Sequence, residues 1–146
     1  MTRSTRTNAL LVLGALAVLV SGWVHFYLYF RGGYRGIAPE STFGLTISRS
    51  FAFNAIVAVV IAEALVLATR FEILVIPSAA SGALFGLGTL VAYFMSRTTG
   101  LLGFEESSTT TEAVVAMVAE VVAVLSLTPV AIGALARRRA PAAVPA

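Results

Sequence analysis

Apolar and polar positions fall into long blocks along this chain, with no short alternation. Residues 8–30 read NALLVLGALAVLVSGWVHFYLYF, with no Arg, Lys, Asp or Glu. That run exceeds the roughly 20 apolar residues needed to cross a bilayer's hydrocarbon core. Three further apolar blocks cover 45–69, 73–96 and 112–136. Lengths of this kind are helical spans, since a strand would cross in about half as many residues. The pattern predicts an all-α fold: a four-helix transmembrane bundle, one integral membrane domain over 1–146, with a disordered tail at 140–146.

The polar segments set the boundaries. RGGYRGIAPESTF at 31–43 holds Gly32, Gly33, Gly36 and Pro39, which favour turns. Ser41 or Thr42 is placed to cap the second helix. Arg70-Phe71-Glu72 is a tight polar turn, so helices two and three are expected as antiparallel neighbours. Pro77 falls in the first turns of helix three, where a missing N–H costs least. Thr109-x-x-Glu112 fits a capping box for helix four. Pro129 inside that helix predicts a kink, and Arg137, Arg138 and Arg139 are expected to end it. The basic start 1–7 before an apolar run raises a cleaved signal peptide. The run continues through Trp23 and His25 to Phe30, which favours an uncleaved first helix.

Composition agrees with the pattern. The 146 residues are 58% hydrophobic and 12% charged, about half the charged share of a soluble domain. Mean hydropathy is +0.92. A water-facing surface all round the molecule is excluded. There is no cysteine, so disulfides, thiolate metal sites and cysteine nucleophiles are excluded as well. All ten basic residues are arginine and all seven acidic ones glutamate.

The arginines give an expected sidedness. Four spans put both termini on one side, together with Arg3, Arg6, Arg70 and Arg137 to Arg139. The other side collects Arg31, Arg35, Arg97 and Arg49. Six against four favours N-in and C-in, in the cell (plasma) membrane as a multi-pass protein. No basic stripe with interleaved aromatics is present, so nucleic acid is not an expected partner.

Ser78, Gly82 and Gly86 repeat at spacing four in helix three. Small residues so spaced let a second backbone approach closely. Helix three is therefore expected to be the central packing element. The plainer reading is chance in an Ala- and Gly-rich chain.

Each ionisable group inside a span is costly and needs a reason. With N-in topology His25, Arg49, Asn54, Tyr93 and Glu120 all fall in the outer half, with Glu120 about 12 Å below Glu112. Glu63 lies nearer the inner face, within snorkelling reach of the Arg70 turn. One reading is an outward polar pocket built from His25, Tyr29, Arg49, Asn54, Tyr93 and Glu120, with an Arg49–Glu120 pair. There His25 is a proton carrier or ligand contact. The other reading is glue, each polar group satisfied by a neighbouring helix. Trp23, Tyr27 and Tyr29 read most simply as an interfacial aromatic belt.

One histidine, no cysteine and no aspartate argue against a metal or haem site, and no cofactor is expected. No Ser-His-Asp set, phosphate-binding loop or Rossmann glycine pattern occurs, so no catalytic residue is assigned. A weak echo links Tyr29-Phe30-Arg31 and Tyr93-Phe94-Met95-Ser96-Arg97, each followed by a Gly-containing loop and a Glu-Ser pair. Duplication of a helix pair and convergence of loop chemistry both explain it.

The run His25…Gly33-Tyr34-Arg35-Gly36-Ile37…Phe43, then an apolar helix with Asn54, resembles small four-helix membrane proteins of high-GC, actinobacterial-type bacteria. In size and layout the chain is also similar to the DoxX-like four-helix class. The resemblance implies a bundle and transfers no catalytic residue.

Two functions remain. The first is a non-catalytic accessory or assembly subunit, packing by the helix-three stripe against another membrane protein or a second copy. The second is a small-molecule, quinone or proton-handling membrane protein that uses the outer pocket. An enzyme proper comes third.

Overall fold

The computed structural model describes residues 4–37 and 44–139. It is all-α, with four long helices: α1 (Thr5–Arg31), α2 (Ile47–Ala68), α3 (Val75–Thr98) and α4 (Thr111–Arg139). Each is long and apolar enough to cross a membrane. Short 3₁₀ turns at Tyr34–Gly36 and Glu72–Leu74 precede α2 and α3. The expected caps at Ser41 and Thr42, the Glu40-Ser41-Thr42 half of the echo, and the tail at 140–146 lie outside the described residues.

Three end assignments differ from the sequence reading. Thr46 caps α2, its hydroxyl accepting from the Arg49 N–H at 3.1 Å. Thr110, not Thr109, caps α4 by accepting from the Ala113 N–H at 3.2 Å. Arg137 to Arg139 form the last turn of α4 instead of ending it. Arginine is a good helix former, and its charge is favourable at a helix C-terminus. The helix also runs unbroken through Pro129.

Burial is inverted relative to a water-soluble bundle. The inner faces carry mostly small residues, such as Gly14, Ala15, Ser21 and Gly22 on α1. Leu16, Phe26, Ile56, Leu84, Leu125 and Ile132 face outward. In lipid, large apolar side chains gain nothing by turning inward, whereas small ones let helices approach and gain dispersion contact.

Chain neighbours pack side by side around the bundle, and α1 closes it against α4. The heaviest contacts are α1 with α2, α3 with α4, and α1 with α4. Helix three is therefore not the central element. Its stripe of Ser78, Gly82 and Gly86 is buried. A Cβ on Gly82 would lie 2.4 Å from Leu127 Cδ1, and one on Gly86 2.8 Å from the Glu120 carbonyl oxygen. The stripe is covered by α4 of the same chain. Glu63 lies on the outward face of α2, exposed among Val59, Val60, Val66 and Leu67.

Candidate functional site: a polar pocket at the loop end of the bundle

Four antiparallel helices place residues 32–37, 44–46 and 99–110 at one end, and the polar pocket lies beneath them. It is a cavity of about 130 Å³ bounded by all four helices and both connections. An apolar cavity of about 150 Å³ holds one benzene, so this one is the size of a single ring.

The deepest group is Glu120 on α4. It is buried, and its Oε1 accepts a hydrogen bond from the Ser21 hydroxyl of α1 at 2.8 Å. The pairing follows from packing. Ser21 is buried on the same helix as Gly14, whose missing side chain lets α1 approach Leu127 of α4, and this brings the α4 carboxyl within reach. One turn further along α1, His25 Nδ1 stands 2.8 Å from the Ser21 carbonyl oxygen. A carbonyl only accepts, so Nδ1 carries the proton and Nε2 is the acceptor of the neutral ring. The His25 ring rests on Phe51 of α2, centroids 5.1 Å apart.

Asn54 lines the cavity from α2, and its Oδ1 is buried with no hydrogen-bond partner. Thr89 on α3 borders the cavity, with its hydroxyl returned to the Phe85 carbonyl at 2.9 Å. Other span hydroxyls do the same: Ser78 donates to Leu74, Ser126 to Val122 and Ser96 to Tyr93. The polarity of these three serines is spent within their own helices, whereas the Thr89 hydroxyl also reaches the Glu120 carboxyl. Ser21 to Glu120 is different, since it crosses between helices and joins the pocket.

The loop side is aromatic. Tyr34 stacks on Phe51 with centroids 4.3 Å apart and meets Phe104 edge-on at 5.7 Å. Phe104 is set by a tight turn in which Leu101 and Phe104 exchange two backbone hydrogen bonds. Leu102 and Gly103 take φ of 51° and 73° in that turn, the left-handed pair that two-residue hairpin turns require.

The Tyr34 hydroxyl donates to Glu106 Oε2 at 2.5 Å. Glu106 is itself fixed. Its N–H donates to the Ser96 carbonyl, its carbonyl accepts from Arg97 Nη1, and its Oε1 accepts from the Ser108 N–H. The two connections are thus tied together across the mouth. Burial first, and the Glu106 carboxylate second, push the Tyr34 phenol well above its ordinary value. A phenol raised on folding stabilises the folded state below the unfolded value of about 10, and that contribution fades as pH rises above it. Tyr34→Phe should therefore lower stability by about 1 kcal/mol at neutral pH. It should also remove part of the alkaline loss of stability, in thermal melts taken at neutral pH and above pH 10.

Of the six residues expected from sequence, the structure brings His25, Asn54, Tyr93 and Glu120 to the cavity wall. Tyr93 has its hydroxyl 3.2 Å from that of Thr109. Arg49 and Tyr29 are not there. Arg49 is exposed and donates from Nη1 to the Gly44 carbonyl at 2.6 Å. The expected Arg49–Glu120 pair does not form, because the arginine sits at the first turn of α2 and is used by its own cap. Tyr29 packs edge-on against Phe30, away from the cavity wall. Ser21, Tyr34, Phe51, Phe104 and Glu106 were not singled out from sequence as pocket residues. A lone serine in an otherwise apolar span was the available signal for the first.

Comparison with protein-family models, curated proteins and solved structures finds no match for this chain. Among the described residues, no three of His, Asp and Glu gather as a metal site would require.

Proposed function

We propose that the chain is a multi-pass membrane protein that binds a small, ring-sized molecule in this pocket, with Glu120 and His25 as its proton-bearing groups. One observation carries the reading: a cavity of about 130 Å³ surrounds a buried carboxyl, an imidazole and an unpartnered amide oxygen inside an otherwise apolar bundle. Polar groups inside a membrane are costly and mark ligand or proton sites by default. The arginine count supports N-in and C-in, which turns the pocket toward the non-cytoplasmic side of the plasma membrane. The accessory-subunit reading loses its main support, since Gly82 and Gly86 already carry α4.

The test is a thermal-shift screen of the purified chain in detergent, using hydroquinone, phenol, benzyl alcohol and benzylamine. At least one should raise the melting temperature in a saturable way. Ala92→Phe, which fills the cavity from α3, should abolish that shift. If no probe shifts the wild type, the pocket reading is wrong. If His25→Ala and Glu120→Gln lower the melting temperature but leave every probe's shift unchanged, these groups are structural glue. A partner protein retained stoichiometrically after mild solubilisation, with no probe binding, returns the accessory reading.

A further inference from the structure

Resting on that pocket reading, we infer that the ligand is a small organic cation carrying N–H donors, an aryl- or alkylammonium of about one ring in size. Three observations converge on it.

The first is the supply of hydrogen-bonding groups. Asn54 Oδ1 is buried with no donor. His25 spends its Nδ1 proton on the Ser21 carbonyl, so the neutral ring offers an acceptor at Nε2. Glu120 receives the Ser21 hydroxyl at Oε1 and has the Thr89 hydroxyl beside it, and as a carboxylate has room for more. Acceptors thus gather at the depth of Asn54, His25 and Glu120, and a ligand that brings donors satisfies the orphaned oxygen, which is costly to leave unmade.

The second is charge. Among the described residues two carboxyl groups, Glu106 and Glu120, line the cavity, and no arginine does. The nearest loop arginines are otherwise engaged: Arg49 with the Gly44 carbonyl, Arg97 with the Glu106 carbonyl, and Arg35 over the Phe30 ring. The cavity wall thus carries acidic groups and no cation of its own, with Arg97 held outside it on the Glu106 main chain. A bound cation is the partner that lets Glu120 ionise at membrane depth, where a lone carboxylate is costly.

The third is the aromatic wall. Tyr34, Phe51 and Phe104 form a contiguous cluster on the loop side of the same cavity. Ring faces attract ammonium groups, more strongly where water is excluded. Neither a carboxylate ligand nor a quinone fits as well. The first is repelled by Glu106 and Glu120, and the second brings only further acceptors.

The experiment compares three ring-sized probes on the full chain in detergent: benzylammonium, benzyl alcohol and benzoate. Benzylammonium should bind at least tenfold more tightly than benzyl alcohol, and benzoate should not compete. Glu120→Gln keeps an oxygen for the Ser21 hydroxyl and so keeps the fold. It should weaken benzylammonium at least tenfold more than it weakens benzyl alcohol. Asn54→Leu should also weaken the cation more than the alcohol. Alcohol binding as well as the cation, or a cation affinity indifferent to Glu120→Gln, would overturn the cation inference and leave the pocket standing. Failure of all three probes, in a protein that still melts cooperatively, would overturn both.

Discussion

Leu127→Ala is expected to lower the free energy of unfolding by about 2–3 kcal/mol, the lower part of the range for a buried leucine. The lower part applies because lipid tails are as apolar as leucine, so only packing is lost. Leu127 is fully buried on α4 and is clasped by two glycines. A Cβ on Gly14 of α1 would stand 2.3 Å from Leu127 Cδ2, and a Cβ on Gly82 of α3 2.4 Å from Leu127 Cδ1. One side chain thus fills the space between three helices. The consequence is a sign change that can be measured. Gly82→Ala alone should destabilise, because Leu127 is fully buried and already held from its other side by Gly14. In the Leu127→Ala background the same methyl enters the vacated space, where Leu65 Cδ1 and Ile61 Cγ2 stand 3.4 and 3.5 Å away. There it should be neutral or stabilising. Melting of the two single variants and the double variant in detergent measures the coupling, and strictly additive losses would contradict this packing.

The same packing explains what was legible in the sequence. Four apolar blocks of spanning length predict four helices regardless of how those helices meet, and the structure has them at nearly the expected limits. Meeting is another matter. In lipid the apolar periodicity that betrays an inner face is largely lost, because Leu16 and Phe26 face outward as readily as Leu11 and Val18 face inward. The Ser78-Gly82-Gly86 stripe correctly marked a close approach, but spacing alone does not say whether the approaching backbone is another chain's or α4's.

Depth counting brought His25, Asn54, Tyr93 and Glu120 to the same outer half, since rise per residue is nearly constant in a helix. It misplaced Arg49 and Tyr29 because it ignores rotation about the helix axis. Arg49 sits on an exposed face beside its own cap, and Tyr29 lies outside the cavity wall. Tyr34 and Glu106 were hidden for a different reason. They lie 72 positions apart on two connections, and only the fold makes them partners.

The contact between α1 and α2 at Gly22 is unforgiving, and Gly22→Ala should expose it. A Cβ on Gly22 would lie 2.4 Å from Ala58 Cβ. Unlike a leucine terminus, the Ala58 methyl has no torsion by which to step aside, so the two helices must separate. Overpacking of this kind costs about 1–3 kcal/mol. The damage should reach the pocket, because Gly22 is flanked by Ser21, which bonds Glu120, and lies one turn from His25, whose ring rests on Phe51 of α2. Gly22→Ala should therefore weaken ligand binding as well as lower the melting temperature. Adding Ala58→Gly moves the methyl from one side of the contact to the other. The double variant holds the same number of glycines and alanines in helices as the wild type, so helix propensity cancels between α1 and α2. Stability and binding should both return to near wild type. Recovery of stability without binding would mean that the α1–α2 spacing does not set the Ser21–Glu120 and His25 geometry. Recovery of neither would mean that the two helices do not meet at Gly22 and Ala58.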